Sequence, residues 1–92
     1  MPEIQVESAT PEERAHAEDQ LSLLRRALSE LPVRYRRAFV LYRFREWTTA
    51  QIANDMKIHE RMARRYVSRA TQYCKLRMGD WSAADARREI MS

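Results

Sequence analysis

Residues 48–70 read Thr48-Thr49-Ala50-Gln51-Ile52-Ala53-Asn54-Asp55-Met56-Lys57-Ile58-His59-Glu60-Arg61-Met62-Ala63-Arg64-Arg65-Tyr66-Val67-Ser68-Arg69-Ala70. Two helices joined by a tight turn account for this order. Thr48 stands at a helix start, and Gln51 three residues on completes a capping box. Ile52, Ala53 and Met56 give this short helix an inward face. The stretch Asn54–His59 supplies the break, and His59 stands where the next helix needs a cap. From Glu60 onward, Ala63, Tyr66, Val67, Ala70, Tyr73 and Cys74 recur at spacings of three and four, which is one face of a helix. Arg61, Arg64, Arg65 and Arg69 fall between them, on the other side. A short helix, a turn and a longer helix with a cationic outer face form a helix-turn-helix signature over residues 48–74.

The rest of the chain is built to support such a unit. Ninety-two residues make one small domain. One glycine, three prolines and an alphabet rich in Ala, Leu, Arg, Glu and Met predict an all-α fold of four to five helices. Residues 1–9 lack a helical period and read as a flexible leader or linker. Thr10-Pro11-Glu12-Glu13 is a helix start, and Pro32 stops that helix at about Leu31. Leu21, Leu24, Leu28 and Leu31 form its apolar stripe. A second helix runs from Val33 to about Phe44, with Tyr35, Ala38, Phe39, Leu41 and Tyr42 as its core face and Trp47 packed beneath the helix-turn-helix. The long helix runs to about Met78, with Gly79 as its stop, so the main helical domain spans residues 10–79. Within residues 80–92, Ser82 and Asp85 start a short helix or tail through Arg88, poor in large apolar groups.

Charge is distributed unevenly. Residues 1–33 hold seven acids and three bases, residues 34–79 twelve bases and three acids, and residues 80–92 two bases and three acids. The net charges of these segments are −4, +9 and −1, which sum to the +4 of the whole chain. Positive charge concentrated on the middle of the chain, around the helix-turn-helix, predicts an anionic partner, DNA above all.

Other chemistry finds little support. The single cysteine, Cys74, excludes an intramolecular disulfide framework and any cysteine-based zinc site, and it fits the inner face of the long helix as a small apolar residue. His16 and His59 are isolated from each other, so no metal centre is expected. Glycine-rich phosphate loops and nucleophile–base pairs are absent, so neither catalysis nor a cofactor is predicted. The N-terminal residues lack the apolar core of a signal peptide, and no apolar run is long enough to span a bilayer. The expected setting is the cytoplasm.

Leu31-Pro32, Arg36, Phe39, Leu41, Thr48, Ile52-Ala53, Ile58 and Arg69-Ala70 together resemble region 4 of bacterial sigma factors of the extracytoplasmic-function class. The run Tyr66 to Cys74 is most similar to the ferric-citrate-type, iron-transport members. The resemblance covers about residues 21–78. It implies that residues His59 to Arg69 enter the major groove of the promoter −35 element and that the domain docks on the β flap of RNA polymerase. On this reading Glu60, Arg61, Arg64 and Arg65 read bases: arginine can grip guanine edges bidentately, and a glutamate can accept from cytosine. Thr48, Thr49, Arg36, Arg37, Lys57 and Arg69 meet phosphates and supply affinity rather than sequence choice. An anti-sigma or FecR-like membrane regulator is a further implied partner, and a monomer is the implied state. The chain departs from the family pattern at Glu46, where glycine is usual, at Gln51 and His59, and at Lys57, where the turn glycine is replaced. Nothing resembles region 2, which points to an excised domain. A free-standing helix-turn-helix regulator, which would dimerise on a two-fold operator, and a module whose arginines meet acidic protein remain the alternatives.

Overall fold

The computed structural model describes residues 11–91. Five helices follow one another: α1 (Pro11–Ser29), α2 (Val33–Arg43), α3 (Thr49–Met56), α4 (Glu60–Met78) and α5 (Ala83–Met91). No strand occurs among the described residues, and the all-α expectation is met. Both Thr10, the expected cap of α1, and the leader lie outside the described residues.

Helix α4 packs against all four others, and its inner face explains how. Ala63 and Ala70 are fully buried there, as are Ala27 of α1, Ala38 of α2 and Ala86 of α5. Alanine keeps the helix surface shallow at these crossings, so neighbouring helices approach closely without a void. Larger side chains fill the space beside them in two groups. Leu28, Leu31, Phe39, Tyr73 and Cys74 join α1 and α5 to α4, while Leu41, Ile52, Tyr66 and Val67 join α2 and α3 to it. Tyr35 touches both groups and meets Tyr66 edge-on, with ring centroids 4.7 Å apart.

Several expectations shift at the helix ends. Helix α1 closes at Ser29, not Leu31, because Glu30 and Leu31 bond back to Ala27 and Leu28 in a tighter final turn. Only the C-terminal part of its stripe is covered: Leu28 and Leu31 are buried and Leu24 half-buried, whereas Leu21 is 43% exposed. The helix outruns the body it packs on. Tyr42 is likewise 43% exposed, so the α2 core face is Ala38, Phe39 and Leu41, with Tyr35 half-buried. At the end of α4 the left-handed residue is Asp80 (φ 73°), not Gly79 (φ −94°). The Asp80 and Trp81 N–H groups bond to the carbonyls of Arg77 and Leu76, the Schellman pattern, which places the left-handed position one residue after the glycine. Helix α5 is also longer than expected. Ser82 caps it through the Asp85 N–H (3.1 Å), and the chain stays helical past Arg88 because Ala86 and Ile90 pack on the core.

A polar cluster locks the α1 terminus to α4. Arg77 Nε and Nη2 donate to the two oxygens of Glu30, each at 2.8 Å, and Tyr73 Oη donates to Glu30 Oε1 at 2.7 Å. Arg77 Nη1 also donates to the Trp81 carbonyl. These hydrogen bonds, above all those from Arg77, hold the Glu30 carboxyl below its usual range. Burial, reinforced by the bond to Glu30, pushes Tyr73 up, and burial pushes the Cys74 thiol up to about 11.

The signs follow from linkage. A carboxylate depressed on folding contributes stability that is whole above its unfolded pKa and is lost as pH falls through the folded one. Acid unfolding should therefore steepen as pH drops below about 4, the ordinary carboxylate range. Glu30→Gln should cost about 1–2 kcal/mol at neutral pH and flatten that acid limb. Urea melts of both proteins across roughly pH 2–7, a range set about the carboxylate titration, check this; parallel curves would contradict it.

Candidate nucleic-acid interface

Helices α3 and α4 form the helix-turn-helix, and three short devices fix its shape. At the start of α3 the capping box is complete: Thr48 Oγ1 accepts from the Gln51 N–H at 3.1 Å, and the Thr48 N–H donates to Gln51 Oε1 at 2.8 Å. Glutamine thus serves as well as glutamate at this position. The turn itself is shorter than the sequence suggests. Asn54, Asp55 and Met56 remain helical, leaving Lys57-Ile58-His59 as the break. Lys57 adopts the left-handed conformation (φ 58°, ψ 49°), as its glycine-like position implied, and the Ile58 N–H bonds back to the Ala53 carbonyl. His59 takes the extended conformation of an N-cap, but its side chain makes no capping bond; the position holds and the expected cap does not. Glu46, the other glycine-like position, is also left-handed (φ 56°) and turns the chain from α2 towards Thr48.

This frame presents a cationic row. Arg61, Arg65, Ser68 and Gln72 are exposed at spacings of four, three and four, opposite the buried Ala63, Tyr66, Val67 and Ala70. Neither Arg61 nor Arg65 forms an ion pair with a described residue. Two unpaired guanidiniums on a ridge can meet phosphates or guanine edges. Ser68 and Gln72 belong to the same row, and both can bond bases; being uncharged, they escape a search of the sequence for cationic residues.

The other nominated residues divide into groups. Thr48, Thr49 and Arg64 come together in a groove of about 540 Å³ that also includes Tyr42, Val67 and Ser68. There, Thr49 Oγ1 donates to Glu60 Oε2 at 2.8 Å, and Arg64 Nη1 donates to the same oxygen at 2.9 Å. Thr48 Oγ1 accepts within the cap, which leaves its proton for a further acceptor. Arg36 and Arg37 lie elsewhere, in a groove of about 480 Å³ with Val33, Val40, Arg45 and Trp47. Arg37 is committed to Asp55 of α3, with Nη2 to Oδ2 at 2.7 Å. Lys57 is exposed in the turn, and Arg69 is half-buried on the flank of α4. A further groove, lined by Asp80, Asp85, Glu89 and Arg88, carries net negative charge and is ill suited to a phosphate.

The family model for sigma-70, region 4 matches residues 21–74, more than half of the chain, and covers α3 and α4 as far as Cys74. This chain belongs to the sigma-70 region 4 family. Region 4 is a DNA-binding helix-turn-helix unit of transcription rather than a known enzyme type. No curated protein and no solved structure matches the chain. Among the described residues no helix is long and apolar enough to cross a membrane.

The left-handed lysine makes a testable point about this region 4. A side chain with a Cβ is strained there by about 1–2 kcal/mol, while glycine adds about 0.5–1 kcal/mol of chain entropy to the unfolded state. Lys57→Gly should therefore stabilise the domain by up to about 1 kcal/mol, read as a higher denaturation midpoint. A lower midpoint would show that Lys57 holds the turn by another means.

Proposed function

We propose that the chain is region 4 of an extracytoplasmic-function sigma factor, reading the −35 promoter element and docking on the β flap of RNA polymerase. The observation that carries the reading is the exposed row on α4, in which Arg61 and Arg65 form no ion pair with a described residue and stand beside the groove holding Arg64, Thr48 and Thr49. A recognition helix needs side chains that can reach base edges, backed by groups that fix its register on phosphates. Arg61, Arg64 and Arg65 supply the first, and Thr48, Lys57 and Arg69 the second. On this reading the domain acts as a monomer attached to the polymerase.

Polymerase is held elsewhere. Val33 and Phe44 are exposed at the two ends of α2, and the groove of Val33, Val40 and Trp47 is rimmed by Arg36 and Arg45. An apolar surface with cationic edges suits an acidic, amphipathic helix. The same surface serves an anti-sigma or FecR-like membrane regulator in competition with the flap. The likeness of the run Tyr66 to Cys74 supports placing the chain in the iron-transport group.

Isolated binding to promoter duplex should be weak and fall steeply with salt, because phosphate neutralisation supplies much of it. Arg61→Glu and Arg65→Glu should each weaken binding about tenfold or more and lower the logarithmic salt slope by about 0.9 for every phosphate no longer neutralised. Binding of the polymerase flap should be unchanged. Anisotropy titrations at several salt concentrations read the first two effects, and a flap pull-down the third. Equal loss of flap binding in both variants would sink the division of surfaces.

A further inference from the structure

Resting on the proposed −35 reading, we propose that Glu60 does not read a base but is a positioning residue that aims Arg64 at its base pair and restrains its attraction to phosphates. Glu60 stands beside the exposed row, not in it: it precedes Arg61 by one position, about 100° round the helix, on the side towards α3. Its Oε2 accepts from two donors, Thr49 Oγ1 at 2.8 Å and Arg64 Nη1 at 2.9 Å. One carboxylate oxygen thereby ties the recognition helix to the first turn of the supporting helix.

An exposed ion pair four residues apart contributes little to folding. Anchored on a second helix, the same pair limits the rotamers of Arg64. A guanidinium held by one nitrogen keeps its other N–H groups for a guanine edge, in a fixed approach. The carboxylate also cancels one unit of charge beside the duplex. Phosphate attraction falls while base choice sharpens, so the pair raises the ratio of specific to non-specific binding rather than affinity itself.

Base profiles distinguish this role from direct readout. The 92-residue chain and its Glu60→Ala, Glu60→Gln, Thr49→Val, Arg64→Ala and Glu60→Ala/Arg64→Ala variants are each selected on a randomised duplex library, and melting temperatures are recorded alongside. Glu60→Ala should lose about tenfold discrimination at the base pair that Arg64→Ala also affects, with the double variant no worse than Arg64→Ala. Its binding to non-specific duplex should tighten, with a steeper salt slope. Glu60→Gln, which keeps an oxygen for both donors, should recover most of the discrimination, and Thr49→Val should partly reproduce the loss. Melting temperatures should stay close to the parent's.

Loss of discrimination at a pair that Arg64→Ala leaves intact would overturn the inference and make Glu60 a reader. Effects that add in the double variant would overturn it as well. A parent domain without any base preference would remove the −35 reading itself, which separates the two failures.

Discussion

Everything in this domain depends on α4 carrying two incompatible faces. One must vanish into contact with four helices, and the other must stay wet and cationic. The inner face manages this with small residues at the crossings and aromatics between them: Ala63 and Ala70 are fully buried, and Tyr66 and Tyr73 nearly so. Because alanine allows close approach, neighbours cover the inner face without climbing onto the outer one. Arg61 and Arg65 are left outward, and no desolvation cost attaches to their charge.

Three left-handed residues then set the angles at which chain segments meet this helix. Glu46 turns α2 into the capping box, Lys57 sets α3 against α4, and Asp80 turns α4 into α5. None is glycine, so each carries some strain, and each sits where a backbone bond closes the turn: Trp47 to Leu41, Ile58 to Ala53, Trp81 to Leu76. The hydrophobic residue that follows each left-handed position either packs on the core, as Trp47 and Ile58 do, or lies half-exposed, as Trp81 does. Far from the reading face, Glu30, Tyr73 and Arg77 pin the end of α1. The cationic surface therefore rests on a frame whose polar bonds are already satisfied.

Much of this was legible in the sequence, and the failures have physical causes. The capping box and the inner face of α4 depend on residues within one or two turns of each other, which is the range that spacing reports, whereas the left-handed Lys57 was implied only by the resemblance, as the replacement of a turn glycine. The Glu30 cluster joins residues 43 and 47 positions apart, and no local pattern announces it. Leu21 and Tyr42 satisfied the helical period but stay exposed, Tyr42 at the edge of a groove against α3 and α4, so periodicity named a face without saying how far it is covered. The long helix ends at Met78, as Gly79 suggested, but the left-handed position of its closing turn falls on Asp80, one residue beyond the glycine. At the candidate interface, charge pointed to Arg61, Arg64 and Arg65. It could not show that Glu60 is tied to Thr49, that Arg37 is tied to Asp55, or that Ser68 and Gln72 share the exposed row.

On the proposed function, DNA meets the outward row of α4 and the first turn of α3, while α1 and α2 stay free for protein. Backbone amide shifts, followed by NMR as a selected promoter duplex is added to the 92-residue chain, test it most directly. The account predicts that perturbations concentrate on residues 48–50 and 59–72 and spare the α1 leucines and Val33. Perturbations centred on Val33, Trp47 and α1, with residues 61–68 silent, would contradict it.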